Sequence, residues 1–207
     1  MNVWKSLVWA IDCDDVLLPT AELTIALYNE AYGTALTLSA MYDETNTWGA
    51  PTNEEGIRRV GQLLRGDAIA ALQPSTATIE ALTQLASLDE LHMVTGRPSF
   101  MEPITRHMVD MYLPGVFKSI EHTNFYVEDG TRDKTRTKGE VCSKLGADIL
   151  IDDHVVHAKS VLDSGLKEVI VWGDYPWNHN INLEPGMVRC VTWDEVFRER
   201  ERILASR

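Results

Sequence analysis

Short apolar runs alternate with longer amphipathic stretches along most of this chain, and the alternation predicts the fold. Ser99 and Glu102, three residues apart, predict a capping box at the start of one helix. Strands that alternate with helices of this length are typical of βαβ units, so we expect an α/β fold with a parallel sheet. Helix-like periodicity covers residues 76–87, 99–112, 137–145, 154–164 and 194–204. The apolar runs predicted as strands are residues 6–12, 91–95, 119–123, 148–151, 168–172 and 188–191.

Residues 19–73 interrupt this alternation. They contain no convincing strand, and an insertion between the first strand and the next βα unit predicts a helical cap over the carboxyl edge of the sheet. Such a cap would exclude water and select substrates. The alternative is that these helices pack against the side of the sheet. We expect a core of residues 1–18 and 74–207 and a cap of residues 19–73. The helix-like pieces of the insertion are residues 21–32, 38–42, 54–64 and 67–72.

Composition narrows the class of protein. The 207 residues are 44% hydrophobic and 24% charged, which is ordinary for a soluble globular protein. We find no run of 18 apolar residues and no basic leader with a cleavage site, so we expect neither a membrane span nor a signal peptide. Cys13, Cys142 and Cys190 are odd in number and widely spaced, which fits a reducing and hence cytoplasmic setting.

The net charge of −12 bears on the partners of this protein. A surface that coats nucleic acid needs clustered Lys and Arg, so we do not expect a nucleic-acid polymer as partner. A small anionic substrate is compatible with this charge, provided that a metal ion, a lysine or a helix N-terminus supplies a local positive site.

The first predicted strand ends in a cluster of carboxylates, Asp12, Asp14 and Asp15. In open α/β sheets, ligands bind in the crevice beyond the carboxyl ends of the strands. Crowded carboxylates repel one another unless a proton or a cation settles their charge. Mg²⁺ that shares its coordination sphere with a phosphate is a common solution. The alternative is that these residues are merely polar turn residues after a strand.

Three more polar clusters follow in a specific order. Thr95 and Gly96 come after the second predicted strand, Lys138 opens a helix, and Asp152-Asp153 follows the fourth strand. With the first cluster they supply a nucleophilic carboxylate, hydroxyl and backbone N–H donors, a cation and a second acidic pair. This inventory is the one required for phosphoryl transfer through an aspartyl-phosphate.

The order of these motifs resembles that of a known family. Asp-x-Asp, then Thr, Lys and Asp-Asp are similar to the motifs of the haloacid dehalogenase superfamily of phosphohydrolases, and the helical insertion resembles its C1-type cap. The resemblance covers nearly the whole chain and implies a Rossmann-like parallel sheet between helices. It also implies a Mg²⁺-dependent phosphomonoester hydrolase, and the branch most similar to this chain, the 5′(3′)-deoxyribonucleotidase-like one, implies a 5′-nucleotidase for (deoxy)nucleoside monophosphates. The stretches similar to that branch are residues 94–98, 113–117, 122–124, 136–142 and 175–178.

The resemblance implies a role for each cluster. Asp12 would be the nucleophile and a metal ligand. Asp14 would bind the metal through its backbone carbonyl and would act as general acid and then as general base. Thr95 and the N–H of Gly96 would hold the phosphoryl oxygens, and Lys138 would neutralise carboxylate and phosphate charge.

Two of these assignments have alternatives. Asp152 would complete the Mg²⁺ site, with Asp153 as a second ligand or as the neighbour of one, and the sequence does not decide which of the two touches the metal. Lys134 resembles the lysine context of the characterised deoxyribonucleotidases, whereas Lys138 resembles that of uncharacterised relatives. We favour Lys138 because its helix would deliver it towards the strand that carries Asp152.

Some residues depart from the family pattern or lie in its weakest part. Asp15 stands where the superfamily often has Gly, and it could bind a water of the metal or point to solvent. In the expected cap, Tyr42, Asn46 and Trp48 could stack on and hydrogen-bond a nucleotide base. The alternative is that these aromatic side chains belong to the core of the cap.

Other functions fit parts of the pattern. The same chemistry under a different cap would act on a sugar phosphate or another small phosphoester. A relative that binds nucleotide or phosphate without catalysis would normally have lost Asp12 or Asp14, and both are present. A receiver-type signalling domain also combines acidic residues with Thr and Lys, but there the acidic pair precedes the phospho-accepting Asp.

Overall fold

The computed structural model describes residues 6–41, 47–124 and 136–207, and its centre is a six-stranded sheet in the order β3-β2-β1-β4-β5-β6. All neighbouring strands are parallel, which confirms the predicted α/β fold. Each strand begins and ends within two residues of the run that predicted it. The strands are β1 Val8–Ile11, β2 Glu90–Thr95, β3 Ser119–His122, β4 Ile149–Asp152, β5 Glu168–Trp172 and β6 Met187–Cys190.

Helices cover both faces of this sheet. They follow the strands in the alternation that the sequence predicts, and short 3₁₀ turns occur at Leu38–Ala40 and Ser99–Met101. None of the helices in the described part of the chain is both long and apolar enough to cross a membrane. The helices are α1 Thr20–Tyr32, α2 Asn53–Leu64, α3 Asp67–Ala70, α4 Thr76–Leu88, α5 Glu102–Tyr112, α6 Lys138–Leu145, α7 Val155–Asp163 and α8 Trp193–Ala205.

The central strands are apolar throughout because successive side chains enter two different cores. In β1, Trp9 and Ile11 pack in a cluster that includes residues of α4, α5 and α8. Ala10 between them faces the other side, in a cluster with residues of α6 and α7. Leu150 of β4 packs in this second cluster as well. Burial on both faces is the reason that these strands read as continuous apolar runs rather than as alternating ones.

The capping box predicted from Ser99 and Glu102 is wrong. The chain enters this region through a 3₁₀ turn that begins after Pro98, and no side chain caps either this turn or α5. Ser99 is therefore already inside a helical turn, whereas an N-cap residue must be extended to accept a hydrogen bond from the helix. A capping box does form at the start of α6, between Thr137 and Glu140.

The regular elements that the structure describes in the stretch 19–73 are all helical. The stretch contains α1, α2, α3 and the first 3₁₀ turn, and α1 packs against both α2 and α3. Helix α3 also contacts α5, which follows β2. These contacts fit an inserted helical layer, and the division into a core and a C1-type cap remains a prediction.

Candidate active site

The carboxyl ends of three neighbouring strands bring together the first residues of the site. Asp12 follows β1 directly, Thr95 is the last residue of β2, and Asp152 is the last residue of β4. Because β1 lies between β2 and β4, these ends are adjacent at one edge of the sheet. The strand order reverses at β1, and such a switch point is where open α/β sheets bind ligands.

Lys138 links two of these carboxylates. Its Nζ lies 2.7 Å from Asp12 Oδ2 and 2.6 Å from Asp152 Oδ2, and its side chain is 1% exposed. Lys138 is the first residue of α6, whose start is fixed by the capping box described above. Gly139 follows, and a Cβ at that position would collide with the Ser160 carbonyl oxygen of α7. The glycine therefore permits the close approach of α6 to α7 that places the lysine.

Asp153 joins the same group. One carboxylate oxygen from each of Asp12, Asp152 and Asp153 lies within 4.8 Å of the others, and all three residues are buried. Their negative charge exceeds the single positive charge of Lys138. These hard oxygen donors fit a divalent cation such as Mg²⁺, which would supply the missing positive charge. The arrangement brings a carboxylate oxygen of both Asp152 and Asp153 close to Asp12.

The pKa values of these groups reflect the same imbalance. Burial raises the pKa of Asp12 to about 7, partly offset by Lys138. Burial and the neighbouring carboxylates also raise the pKa of Asp153 well above its usual range. Burial opposes ionisation of Asp152 too, but Lys138, His157 and the His154 backbone N–H together outweigh it and lower the pKa of that carboxyl. For Lys138 itself, the two carboxylates outweigh burial and raise its pKa.

Asp153 is held from the loop that follows β5. The Trp177 indole N–H donates to Asp153 Oδ2 at 2.7 Å, and Asn178 Nδ2 donates to the Asp153 carbonyl oxygen at 2.8 Å. The Trp177 ring stacks on Tyr175, with centroids 4.7 Å apart and planes 2° from parallel. The sequence indicated residues 175–178 only through their similarity to the deoxyribonucleotidase-like branch, and it predicted no contact with Asp153, because a local pattern does not indicate a partner 24 residues away.

Asp14 has a different partner, Arg97. Nε of Arg97 lies 3.1 and 2.9 Å from the two Asp14 carboxylate oxygens, and Nη2 lies 2.6 Å from Oδ1. The Thr20 hydroxyl donates to the same Oδ1 at 2.5 Å. Burial opposes ionisation of Asp14, but the Arg97 guanidinium, together with Thr20 and Lys138, outweighs it and holds the pKa of Asp14 below its usual value.

Thr95 and Gly96 lie buried beside this pair. Thr95 is fully buried, and its hydroxyl oxygen accepts a hydrogen bond from the Arg97 backbone N–H at 3.2 Å. Gly96, which lies between Thr95 and Arg97 in the chain, is buried as well. The structure thus brings the predicted phosphate-binding segment next to Asp14 on the β2 side of Asp12, opposite the Asp152-Asp153 pair on the β4 side.

Asp15 neither faces solvent nor joins the three clustered carboxylates. It is 5% exposed, and its Oδ1 accepts a hydrogen bond from the Ala21 backbone N–H, in the first turn of α1, at 3.0 Å. Its carbonyl oxygen accepts a hydrogen bond from the Tyr175 hydroxyl at 2.7 Å. Asp15 has a φ of +57°, a left-handed conformation that Gly adopts more readily than other residues. Burial raises its pKa to about 8.

The remaining predicted residues are only partly described. Tyr42, Asn46 and Lys134 lie outside the described residues. Trp48 is half-buried, and its ring packs edge-on against that of Tyr28 of α1, with centroids 5.1 Å apart. This aromatic contact packs Trp48 against helix α1.

Fold and site together define a parallel α/β protein with a carboxylate-rich edge, and solved structures identify the fold more closely. The chain is similar to a haloacid dehalogenase-like hydrolase from Streptococcus pneumoniae, with a TM-score of 0.67 and 12% identity over 94% of this chain and 98% of that chain. It is also similar to a protein from Thermotoga maritima assigned as a β-phosphoglucomutase, with a TM-score of 0.60 and 16% identity over 95% and 99% of the two chains.

A third similar structure is YfnB from Bacillus subtilis, assigned as a haloacid dehalogenase hydrolase and bound to magnesium. Its TM-score is 0.60 and its identity 14%, over 94% of this chain and 98% of that chain. No protein-family model matches the sequence, and no curated protein matches it. At these identities the likeness establishes the fold, so this chain has the fold of the haloacid dehalogenase hydrolases.

Proposed function

We propose that this protein is a Mg²⁺-dependent phosphomonoester hydrolase that works through an aspartyl-phosphate on Asp12. The observation that carries the proposal is the buried group of Asp12, Asp152 and Asp153 around Lys138. A buried charge that serves stability is normally paired one to one, because each uncompensated charge is costly. The excess of carboxylates at this sheet edge therefore supports a site that binds a cation and a phosphate.

The first chemical step would transfer the phosphoryl group to the protein. A carboxylate oxygen of Asp12 attacks phosphorus, and the bond between phosphorus and the ester oxygen breaks. Asp14 donates a proton to that oxygen, so the alcohol leaves neutral, which contributes about 10²- to 10⁴-fold in rate for groups of this kind. Asp14 must first gain this proton, and the negative charge of a bound phosphate favours it by raising the pKa of Asp14.

The second step would return the protein to its starting state. Asp14, now a carboxylate, takes a proton from a water molecule whose oxygen attacks phosphorus. The Asp12–phosphate bond breaks, inorganic phosphate leaves, and Asp12 is again a carboxylate. Lys138, with its Nζ 2.7 Å from Asp12 Oδ2, keeps its positive charge throughout and offsets negative charge at the reacting group.

Asp12, Asp152 and Asp153 would hold the Mg²⁺, with the Asp14 backbone carbonyl as a further ligand. When bound, the ion supplies positive charge that screens the carboxylates from an anionic substrate and stabilises the phosphoryl oxygens. The carboxylate donors suit this role because Mg²⁺ prefers oxygen ligands. The magnesium in the structurally similar YfnB supports this choice of ion.

For the substrate we propose a small phosphomonoester, with two classes to compare. The sequence resemblance to the deoxyribonucleotidase-like branch favours (deoxy)nucleoside monophosphates. The structural similarity to the protein assigned as a β-phosphoglucomutase favours a sugar phosphate equally. The contact between Trp48 and Tyr28 leaves the expected base-binding role of Trp48 as a prediction. A binding protein without catalysis is the outcome if none of these substrates turns over.

The test is phosphate release from deoxy- and ribonucleoside monophosphates, sugar phosphates and 4-nitrophenyl phosphate, with Mg²⁺ and with chelator. We expect turnover that requires Mg²⁺ and that Asp12→Asn abolishes, because an amide cannot act as the nucleophile. Mass spectrometry of acid-quenched enzyme would detect the phosphorylated Asp12. The ranking of substrates would decide between the two classes.

A matched control is Asp110→Asn, which makes the same change at an exposed carboxylate of α5. This variant should keep wild-type activity. The proposal is wrong if no substrate is hydrolysed, 4-nitrophenyl phosphate included, or if Asp12→Asn turns over as fast as Asp110→Asn.

A further inference from the structure

We propose that Arg97 is a positioning residue for the acid–base chemistry of Asp14: it contacts both carboxylate oxygens, and with Thr20 it fills the lone pairs of Oδ1, which leaves a lone pair of Oδ2 to exchange the proton. This inference rests on the proposed function and adds a residue that acts only through Asp14. It depends on three observations: how hydrogen-bond donors are distributed over the two Asp14 oxygens, which groups hold the Arg97 guanidinium in place, and how the two side chains differ in exposure.

The donors around Asp14 are distributed unevenly. Oδ1 accepts from Arg97 Nη2 at 2.6 Å, from Arg97 Nε at 3.1 Å and from the Thr20 hydroxyl at 2.5 Å. Oδ2 accepts from Arg97 Nε alone, at 2.9 Å, among the described residues. A carboxylate oxygen has two lone pairs, so three donors leave Oδ1 no capacity for a further partner. The proton given to a leaving group or taken from water is therefore expected at Oδ2.

Arg97 is itself held in place on several sides. Its Nη1 donates to the Thr105 hydroxyl oxygen at 3.1 Å, and that hydroxyl donates to the Met101 carbonyl oxygen at 2.9 Å. Its backbone N–H donates to the Thr95 hydroxyl oxygen at 3.2 Å. His122 Nδ1 lies 3.2 Å from its carbonyl oxygen. A guanidinium fixed in this way orients its carboxylate partner with little loss of side-chain entropy at the moment of reaction.

Exposure separates the two roles. The side chain of Arg97 is 3% exposed, whereas that of Asp14 is 28% exposed. Asp14 can therefore meet a substrate or a water molecule, while Arg97 lies behind it. This geometry indicates that Arg97 holds the acid–base group Asp14 in place and does not contact phosphate directly.

A double-mutant cycle on kcat tests this inference with 4-nitrophenyl phosphate. We expect Asp14→Asn to lower kcat by about 10²-fold or more, the usual contribution of a general acid or base. Arg97→Ala should lower kcat by about 10-fold or more, since a misplaced acid–base group loses part of that contribution. Because Arg97 acts through Asp14, adding Arg97→Ala to Asp14→Asn should change kcat by less than about 3-fold. Losses that multiply in the double variant would overturn the inference.

Three further measurements separate positioning from other roles. If Arg97 contacts phosphate directly, Arg97→Ala raises the inhibition constant of inorganic phosphate; we expect it unchanged, and a rise overturns the inference. Added guanidinium ion should restore part of the kcat of Arg97→Ala. Thr20→Val, which removes one Oδ1 donor and keeps the ion pair, should lower kcat less than Arg97→Ala, and a larger loss contradicts the assignment.

Folding is monitored by thermal denaturation of every variant. If Arg97→Ala does not fold, the same cycle is run with Arg97→Lys, which keeps the charge and loses the two-pronged contact. Arg106→Ala, which removes an exposed arginine paired with Glu102, is the matched control and should keep wild-type kcat. Absence of turnover in the wild type would refute the proposed function and this inference together. If the wild type is active and Asp12→Asn is inactive, but the losses of Asp14→Asn and Arg97→Ala multiply in the double variant, the proposed function stands and only this inference is refuted.

Discussion

Two regions of this protein bury charge, and they differ in how the charge is balanced. At the amino end of β2, Asp89 pairs with Arg200 of α8, and both side chains are at most 8% exposed. Each Asp89 oxygen accepts two hydrogen bonds, from Arg200 and from the Leu7 backbone or the Trp9 indole. At the carboxyl edge, three buried carboxylates lie together, and the one ammonium beside them, that of Lys138, pairs with two of them.

This difference in charge balance distinguishes a structural ion pair from a candidate site. At Asp89 one buried carboxylate meets one guanidinium and every lone pair has a donor, so nothing more needs to bind; the second carboxylate on that guanidinium, Glu201, is exposed to solvent. The group of Asp12, Asp152 and Asp153 has too little positive charge of its own, so its stability depends on protons or on a cation. Burial alone does not mark a functional site, whereas burial without charge balance does.

The largest expected effect comes from breaking the balanced pair. Arg200→Met should lower the free energy of unfolding by about 3–5 kcal/mol, because Asp89 would keep its burial and lose its counter-charge. Chemical denaturation measures this loss, which should be the same with and without Mg²⁺. The double variant Asp89→Asn/Arg200→Met should recover part of it, since neither charge remains. A loss below about 1 kcal/mol would mean that Asp89 is not in fact an isolated buried charge.

A smaller effect is expected at the unbalanced group. Trp177→Phe removes the indole donor to Asp153, and loss of a hydrogen bond to a metal-binding carboxylate typically weakens metal binding about 10-fold or more. Calorimetric titration with Mg²⁺ measures the affinity, and added Mg²⁺ should recover most of the lost activity.

The matched control is Tyr175→Phe, which removes a hydroxyl that contacts the Asp15 carbonyl oxygen and not a clustered carboxylate. Its Mg²⁺ affinity should change less than that of Trp177→Phe. Equal losses in the two variants would contradict a specific contribution of the indole hydrogen bond to metal binding.

The unbalanced group also makes the stability of the protein depend on pH. Folding raises the pKa of Asp12 to about 7 and that of Asp15 to about 8, and it also raises the pKa of Asp153. Because these pKa values are raised, the folded state binds more protons than the unfolded state between pH 4 and pH 8. Stability therefore falls as pH rises through this window. Without metal we expect stability to fall steadily between pH 5 and pH 7, by about 1.4 kcal/mol per pH unit for each carboxyl group that is protonated only in the folded state.

Mg²⁺ should reverse this dependence, because it binds the ionised carboxylates and so favours the folded state at the higher pH. Thermal denaturation at several pH values, with Mg²⁺ and with chelator, measures both effects. Asp14 and Asp152 have lowered pKa values, so their contribution is lost only as pH falls below the usual range of a carboxyl group. A metal-free protein that becomes more stable from pH 5 to pH 7 would contradict the charge imbalance.

Local patterns predicted the elements of this fold well, and one pair of helix starts shows their limit. Thr137 with Glu140 and Ser99 with Glu102 have the same spacing, yet only the former makes a capping box. Pro98 and the 3₁₀ turn that follows it place Ser99 inside a helical turn, where it cannot act as a cap. A three-residue motif does not carry that information.

In the candidate site, too, local patterns predicted some residues and missed others. Apolar runs predicted the strands, and the residues just after them included Asp12, Thr95 and Asp152, because side chains beyond parallel strands have no apolar layer to fill. Lys138 followed from the start of its helix. The supporting residues could not be predicted in this way, since Arg97 reaches Asp14 over 83 residues and Tyr175 reaches Asp15 over 160.

The sequence by itself determined which segments are strands and helices, their alternation, and which polar residues stand at the strand ends, because these depend on neighbours a few residues away. The tertiary structure decided which strand ends are adjacent, that Lys138 lies between Asp12 and Asp152, and that Arg97 supports Asp14. The physical reason is that these contacts join residues far apart in the chain. They exist only once the order of strands in the sheet has brought those residues to one edge.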